Sequence, residues 1–441
     1  VPQAILQRFE GWRERPALIW RERAFTYGWL VDEVRRLQAT LPVAPRSLVG
    51  LDADYSPRAL AALFALWARG CGVVPLAPGS RPQRDALYAL AEVSTELQLD
   101  EDDVLTVGPV GFAPQHPLLV ELLARGAGGL VLFSSGSAGK IKGVVHDGAK
   151  LVARYATPRR PAVIIPFMLF DHIGGMNTVL HTLSSGGTAV LAQERTPDAI
   201  CRLIEAHRVE VVPATPTFLN LLLLSEHHRY DLSSLRVLGY GAERMPEATL
   251  ARLAAAFPGV ELNQNYGLSE AGILHTRSEA PGSLWMKLGG DGVQVRVQDG
   301  LLELKVETAM LGYLNEESPF TEDGWLKTGD RVEVRGEYLR VLGRASDIII
   351  VGGEKVYPAE VEDLIAQLPG VVDVAVGGEP HAITGQIVRA VVQLAAPEPR
   401  ADFRRRMTTA LAAQLPTFKI PQKVEVSTEP LQTSRWKKRR A

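Results

Sequence analysis

Apolar residues along the chain gather into short runs separated by stretches with helical spacing. From Tyr27 to Leu37 they recur every three or four positions, which predicts an amphipathic helix, and Ser47–Leu51 predicts a strand. Pro57 to Gly70 is rich in alanine and leucine and predicts a helix leading into a strand at Cys71–Leu76. The alternation resumes with Leu130–Phe133, Ala162–Ile165, Thr188–Ala192, Val209–Val212 and Leu235–Leu238, each strand-like, with helical stretches between them. Strand and helix in turn predict an α/β fold of packed layers with largely parallel sheets.

From about residue 285 the pattern changes to closely spaced strands with glycine turns: Val293–Val297, Leu301–Val306, Arg331–Val334 and Tyr338–Leu342. These predict a small antiparallel β unit. Beyond residue 346 a strand, a helix (Pro358–Ala366), two strands (Val371–Val376, Val388–Leu394) and a second helix (Ala401–Leu411) predict a compact α+β module. The expected organisation is an N-terminal domain over 1–345 and a smaller C-terminal domain over 346–441.

Composition changes little in this picture. The chain has 441 residues, 46% apolar and 22% charged, which excludes a disordered protein and allows two or three domains. A net charge of −2 gives no reason to expect nucleic acid or an anionic membrane as partner, and the only strongly basic stretch is Arg435–Arg440. Cys71 and Cys201 are far apart in apolar surroundings, reading as buried thiols without a disulfide or metal frame. No apolar run reaches the roughly 18–20 residues of a membrane span. The first ten residues read as a folded amphipathic segment and not a signal peptide, so a cytoplasmic location is the expectation.

Chemistry enters at Ser134-Ser135-Gly136-Ser137-Ala138-Gly139-Lys140-Ile141-Lys142-Gly143, directly after the apolar run Leu130–Phe133. Small hydroxylated and glycyl residues let backbone and side-chain donors converge on phosphate oxygens while a lysine supplies charge. It is not the common phosphate loop, because Ser134 stands where the first glycine belongs and Ile141 follows Gly139-Lys140.

Further segments follow in order: Gly239-Tyr240-Gly241-Ala242-Glu243; Asn265-Tyr266-Gly267-Leu268-Ser269-Glu270; Trp325 to Asp330 with Leu342-Gly343-Arg344; and Asp347 to Glu362, containing Gly352-Gly353. Together with the loop they resemble the adenylate-forming superfamily: acyl- and aryl-CoA ligases, luciferases and the adenylation domains of peptide synthetases. The resemblance covers residues 130–441 well and the front end weakly. The Gly-Gly-Glu-x-Val-Tyr-Pro segment is similar to the acyl-CoA ligase version, not the peptide-synthetase one.

The resemblance implies roles for individual residues. Ser134, Ser135, Gly136, Ser137, Gly139 and Lys142 would hold the phosphates of ATP. Gly239, Gly241, Ala242 and Glu243 would lie along the adenine and the acyl pocket, with Asn265, Tyr266 and Gly267 completing the adenine site. Ser269 would reach the α-phosphate and Glu270 would ligate Mg²⁺; these residue types suit an oxyanion and a hard cation. Asp330 would accept the ribose hydroxyls, a task for which a carboxylate is well made, with Arg344 beside it. Ser346 falls at the hinge, where Asp or Lys is usual, and the C-terminal domain would swing about it. Gly352 and Gly353 would then line the CoA channel. Lys437, in the closing Thr433-to-Lys437 step, would be the catalytic lysine, with Trp436 where glycine is usual. Alone, Arg435–Arg440 reads as a solvated basic tail.

On the substrate side, Pro166 to Gly175 is similar to an element whose histidine gates the acyl and CoA approach, making His172 the candidate gate with Gly174 beside it. Asp171 has two other readings: a ligand for a substrate amine, or a helix N-cap. The expected reaction is activation of a carboxylic acid by Mg·ATP to an acyl-adenylate, then transfer to a thiol, CoA first among candidates. Two alternatives stand beside it. One is an enzyme adenylating an amino acid or serving the phosphopantetheine of a carrier protein; the other is a nucleotide-binding relative without catalysis.

Overall fold

The structure, a computed structural model, describes residues 2–135, 140–290, 292–427 and 429–433. The Pro57–Ala68 helix runs through its middle. Ser56 caps it, accepting from the Ala59 amide at 3.1 Å, and Pro57 occupies the first turn, where its missing N–H costs nothing. Ala59 through Leu66 are all fully buried. A helix apolar on every side must be packed on every side. This one lies between two seven-stranded sheets, sharing a core with Leu18, Ala189 and Leu191 of one and Val49, Leu51, Val73 and Leu130 of the other.

The first sheet runs in the order Glu261–Gln264, Val237–Tyr240, Val211–Ala214, Val163–Ile164, Thr188–Leu191, Pro16–Trp20, Arg23–Thr26. It is parallel except for the final hairpin. The second runs Gly312–Tyr313, Ile141–Asp147, Gly129–Ser135, Gly72–Leu76, Leu48–Asp52, Thr95–Leu99, Leu105–Pro109, parallel in its centre and antiparallel at both edges. The α/β expectation therefore holds, with small offsets. The strand expected at Val209–Val212 forms at Val211–Ala214, because the Val209 amide is used to close the preceding helix on the Ile204 carbonyl.

The β unit is a six-stranded antiparallel sheet built from His275–Ser278, Met286–Gly289, Tyr338–Arg344, Leu326–Arg335, Leu301–Val306 and Val293–Gln298. A single 3-10 turn, Ala345–Asp347, leads out of it. The C-terminal unit then pairs Val371–His381 with Gly385–Leu394 and adds Ile349–Val351, Glu354–Val356 and Lys423–Ser427. Helices Pro358–Ala366 and Arg400–Ala412 complete a separate core containing Val361, Val376, Val388, Phe403 and Met407. Polar contacts cross the seam: Arg244 pairs with Asp363 at 2.6 Å, and the Asn220 amide donates to the Val372 carbonyl at 2.9 Å. Among the described residues no helix is long and apolar enough to cross a membrane, and Cys71 and Cys201 are free and buried.

One close approach makes a sharp stability test. At Gly175, in the Ile173–Ser184 helix, an added Cβ would sit 2.5 Å from the Met168 carbonyl and would also strike the Leu169 carbonyl and the Tyr55 hydroxyl. Backbone cannot retreat as a side-chain tip can. Gly175→Ala should lose about 1–3 kcal/mol, the usual cost of overpacking. An unchanged midpoint in urea denaturation would contradict this packing.

Candidate active site

The carboxyl ends of the parallel strands open on one large cleft of about 1970 Å³, the expected position for a ligand in an open α/β sheet. Ser134, Ile141 and Lys142 line it from the Gly129–Ser135 and Ile141–Asp147 hairpin. Gly239, Gly241 and Ala242 line it from the end of Val237–Tyr240, and Asn265, Gly267, Ser269 and Glu270 from the segment after Glu261–Gln264. Thr328, Gly329, Arg344 and Ser346 come from the β unit and its exit, and Thr433 from the C-terminal unit. Stretches distant in sequence thus share one space.

The hairpin turn itself is only partly described: Gly136, Ser137 and Gly139, and the side chain of Ser135, lie outside the described residues, as does Lys437. Its base is well defined. Register pairs Ser134 with Lys142, and the Asn315 side chain clamps the strand from outside, donating to the Ile141 carbonyl at 2.7 Å and accepting from the Gly143 amide at 3.0 Å. The Lys142 ammonium lies 5.0 Å from the centre of the Tyr313 ring, a cation–π contact that holds the charge at the cleft wall.

Asp330 and Tyr266 lie just behind the lining, 5% and 8% exposed. The Tyr266 hydroxyl donates to one Asp330 oxygen at 2.5 Å, and Arg344 meets the other at 2.7 Å. Arg344 also donates to the Thr328 carbonyl at 3.1 Å. Burial pushes the Asp330 carboxyl above its ordinary value, with Arg344 and Tyr266 pulling it back. The expectation of an open tyrosine face for adenine needs modification, since Tyr266 is packed away and tied to Asp330. Ala242 instead reaches the lining with φ at +64°, a left-handed backbone that an alanine adopts only when its surroundings impose it.

The segment carrying Ser269 and Glu270 is gripped through its carbonyls. His146 Nε2 donates to the Ser269 carbonyl at 2.7 Å, the Met310 amide to that of Glu270 at 2.8 Å, and Arg154 to those of Ala271 at 2.9 Å and Ile273. The Glu270 carboxylate accepts from the Tyr313 hydroxyl. None of His146, Arg154, Tyr313 or Asn315 stood out in the sequence. Their partners are mostly backbone groups more than a hundred residues away, and such acceptors leave no side-chain signature.

Four expected residues are placed differently. Glu243 turns from the cleft to the domain seam, where its carboxylate accepts from the Thr217 hydroxyl at 2.7 Å. The Thr217 amide also lies 3.4 Å from the same oxygen, so the side chain is held at the start of the Pro216–Leu224 helix. Asp171 lines the cleft, yet one carboxylate oxygen accepts from the Ser80 hydroxyl at 2.7 Å and the Ala77 amide at 3.3 Å, so it anchors a neighbouring turn. The N-cap of Ile173–Ser184 is His172, one residue later, whose Nδ1 accepts from the Gly174 amide at 3.0 Å. Nδ1 is therefore bare and Nε2 carries the proton. Gly352 and Gly353 are exposed and do not line the cleft in this arrangement of the domains.

Comparison with known proteins settles the lineage. Residues 85–301 match the family described as AMP-binding enzyme, and residues 360–438 match its C-terminal domain. The chain belongs to the adenylate-forming superfamily. Among superfamily relatives, an indoleacetate–CoA ligase of Aromatoleum aromaticum is 28% identical over 93% of this chain and 91% of its own. A 4-coumarate–CoA ligase-like protein of Oryza sativa is 33% identical over 59% of this chain, which spans 52% of that relative's length. The solved structure of the anthranilate CoA ligase AuaEII in complex with anthranoyl-AMP shares the superfamily fold with a TM-score of 0.84, at 21% identity and over 99% of this chain and 95% of that one.

The grip on Ser269 has a measurable consequence. Burial pulls the His146 imidazole down to about 4 from its ordinary 6.5. A value depressed by folding contributes stability that is present above pH 6.5 and is lost as the pH falls toward 4, on the order of 3 kcal/mol in all. Denaturation followed across that window should give a flatter profile for His146→Gln than for the parent. Parallel profiles would show that His146 is not the buried neutral donor described.

Proposed function

We propose that the protein is an AMP-forming acid–thiol ligase that joins a carboxylic acid to CoA through an acyl-adenylate. The single observation carrying this reading is the convergence on one cleft of the serine-rich hairpin, the Asn265–Glu270 segment, the Asp330–Arg344 pair and Thr433 at the C-terminal end. A carboxylate oxygen of the acid attacks the α-phosphorus of ATP and pyrophosphate leaves; the CoA thiol then attacks the acyl carbon and AMP leaves. Neither step needs a protein nucleophile, so the enzyme works by positioning and by charge placed where charge develops.

In this reading Ser134, Ser135, Gly136, Ser137, Gly139 and Lys142 take the phosphates. Asp330 accepts from the ribose, Ser269 reaches the α-phosphate and His172 gates the approach of the acid and CoA. The residues fit a magnesium ion that arrives with ATP. Among the described residues no group of three potential metal ligands occurs, while Glu270 offers one carboxylate on the cleft. Mg²⁺ is commonly held in just this way, by one or two carboxylates plus substrate phosphates and water. When bound it neutralises phosphate charge; Glu270, steadied by Tyr313, would hold it. Buried free thiols accord with a cytoplasmic setting, where CoA and ATP are at hand.

Lys437 is the proposed cation at the reacting carboxylate. Acid-dependent exchange of pyrophosphate into ATP tests the whole reading, and a protein that only binds nucleotide would give none. Lys437→Ala should slow adenylation by about 10²–10³, as loss of a preorganised charge does. The thioester step from supplied adenylate should suffer far less, and equal losses would remove Lys437 from this role.

The exposed Gly352-Gly353 turn supports a swing of the C-terminal domain between half-reactions, pivoting at Ser346, that brings the turn to the cleft for the second step. Gly353 has φ at +91°, so any side chain strains this turn locally, but the turn is exposed with nothing within 4 Å of an added Cβ, so a large side chain meets no clash here and would block the channel. Gly353→Trp is expected to keep pyrophosphate exchange and lose CoA ester formation. Normal ester formation in this variant would rule out the proposed channel and favour a carrier-protein thiol entering elsewhere.

A further inference from the structure

One helix contributes an unusual stretch of lining to the cleft. Along the Ile173–Ser184 helix, Gly174, Asn177, Thr178 and His181 fall on one stripe and all four line the cleft. The stripe behind them, Met176, Val179, Leu180 and Leu183, is buried in the core. The helix therefore presents its polar side to the substrate space, the reverse of what a plain hydrocarbon chain would select.

The same cleft is lined by Arg154, half-buried just after the Gly148–Ala153 helix. Its guanidinium donates to the carbonyls of Ala271 and Ile273, and among the described residues no carboxylate lies within ion-pair distance of it. Burial pulls its titration downward, opposed only by the neighbouring Tyr155 phenol. The Tyr155 hydroxyl donates to the Asn177 side-chain carbonyl at 2.8 Å, which leaves the Asn177 amide as a donor. Arg159, on the same lining, adds positive charge near His181. A charge withdrawn from water with only dipoles beside it is costly, and an arriving anion offsets that cost.

We propose that the acid substrate carries a second carboxylate, remote from the one that is activated, and that Arg154 receives it with the help of the Asn177 amide. The inference rests on the ligase reading and narrows it from carboxylic acids in general to dicarboxylic or carboxy-substituted aromatic acids. The γ-phosphate of ATP is the other anion that could meet Arg154, and the experiment separates the two.

The full-length chain is assayed for AMP release with CoA on matched pairs: hexanoate against adipate, and phenylacetate against 4-carboxyphenylacetate. The expected kcat/KM favours the dicarboxylate in at least one pair by about tenfold or more, because a half-buried donor set rejects a ligand that leaves it unpaired. The ratio within that pair is then measured in Arg154→Met. Using a ratio cancels any general damage from loosening the Ala271–Ile273 carbonyls. It should collapse to about one, while Arg154→Lys, which keeps the charge without the planar fork, should retain part of it. Should Arg154→Met fail to fold, Asn177→Leu removes the second donor and should lower the same ratio. A wild-type preference for the monoacids overturns the proposal, as does an unchanged ratio in Arg154→Met. A rise in the ATP KM with the ratio unchanged overturns it in favour of the phosphate. If no acid of any kind supports pyrophosphate exchange, the ligase reading itself fails, a result distinct from all of these.

Discussion

The hydrogen-bond ladder along Ile141–Asp147 is the constraint on which the rest depends. On one side it pairs with Gly129–Ser135, so the serine-rich turn is held at its base. On the other it pairs with Gly312–Tyr313, and the Leu311 and Leu314 amides donate to the Val145 and Gly143 carbonyls at 2.8 Å. Its His146 holds Ser269, and its last residue, Asp147, caps the helix that leads to Arg154. Asp147 is held in turn by Arg125 at 2.7 Å. A single seven-residue strand thus ties together the base of the serine-rich hairpin, Glu270 through Tyr313, and Arg154 through the helix that Asp147 caps. Backbone bonds are short and directional, so the geometry is set before any ligand arrives, as electrostatic catalysis requires.

Most of the scaffold was legible in the sequence, for a plain reason. Strands such as Leu48–Asp52 and Gly72–Leu76 are buried on both faces, and a short run without polar interruption has few other ways to satisfy burial. The Pro57–Ala68 helix was readable from its cap and composition. The sharing of one cleft by the Asn265–Glu270 segment and Arg344 agrees with the expectation from their order in the chain. The site was unreadable where direction mattered. Glu243 sits in the expected turn, yet its carboxylate is held by Thr217, a partner that residue types alone do not encode. The N-cap fell on His172 instead of Asp171 because Asp171 was already engaged by Ser80 and Ala77. A lone arginine such as Arg154, near the end of an amphipathic stretch, reads as solvated until its carbonyl partners are brought to it.

The two parts of the cleft follow different physical logics. Around Gly239, Gly241, Gly267 and Gly329 the wall is backbone-rich, allowing close approach with few side chains to adjust. Along the Ile173–Ser184 helix and the residues after Ala153 the wall is made of side chains. The cleft thus combines a wall of close backbone with a wall of side chains carried on a helix face.

The contact between Asp330 and Arg344 also has a mechanical meaning. These two residues form the last rung of the Leu326–Arg335 and Tyr338–Arg344 ladder, immediately before the connector to the C-terminal unit. Any torque transmitted along that connector meets a charge pair clamped by Tyr266 before it can reach the strands behind. The exit from the β unit toward the smaller unit is therefore braced by charge as well as by backbone bonds, like a bracket at the corner of a frame.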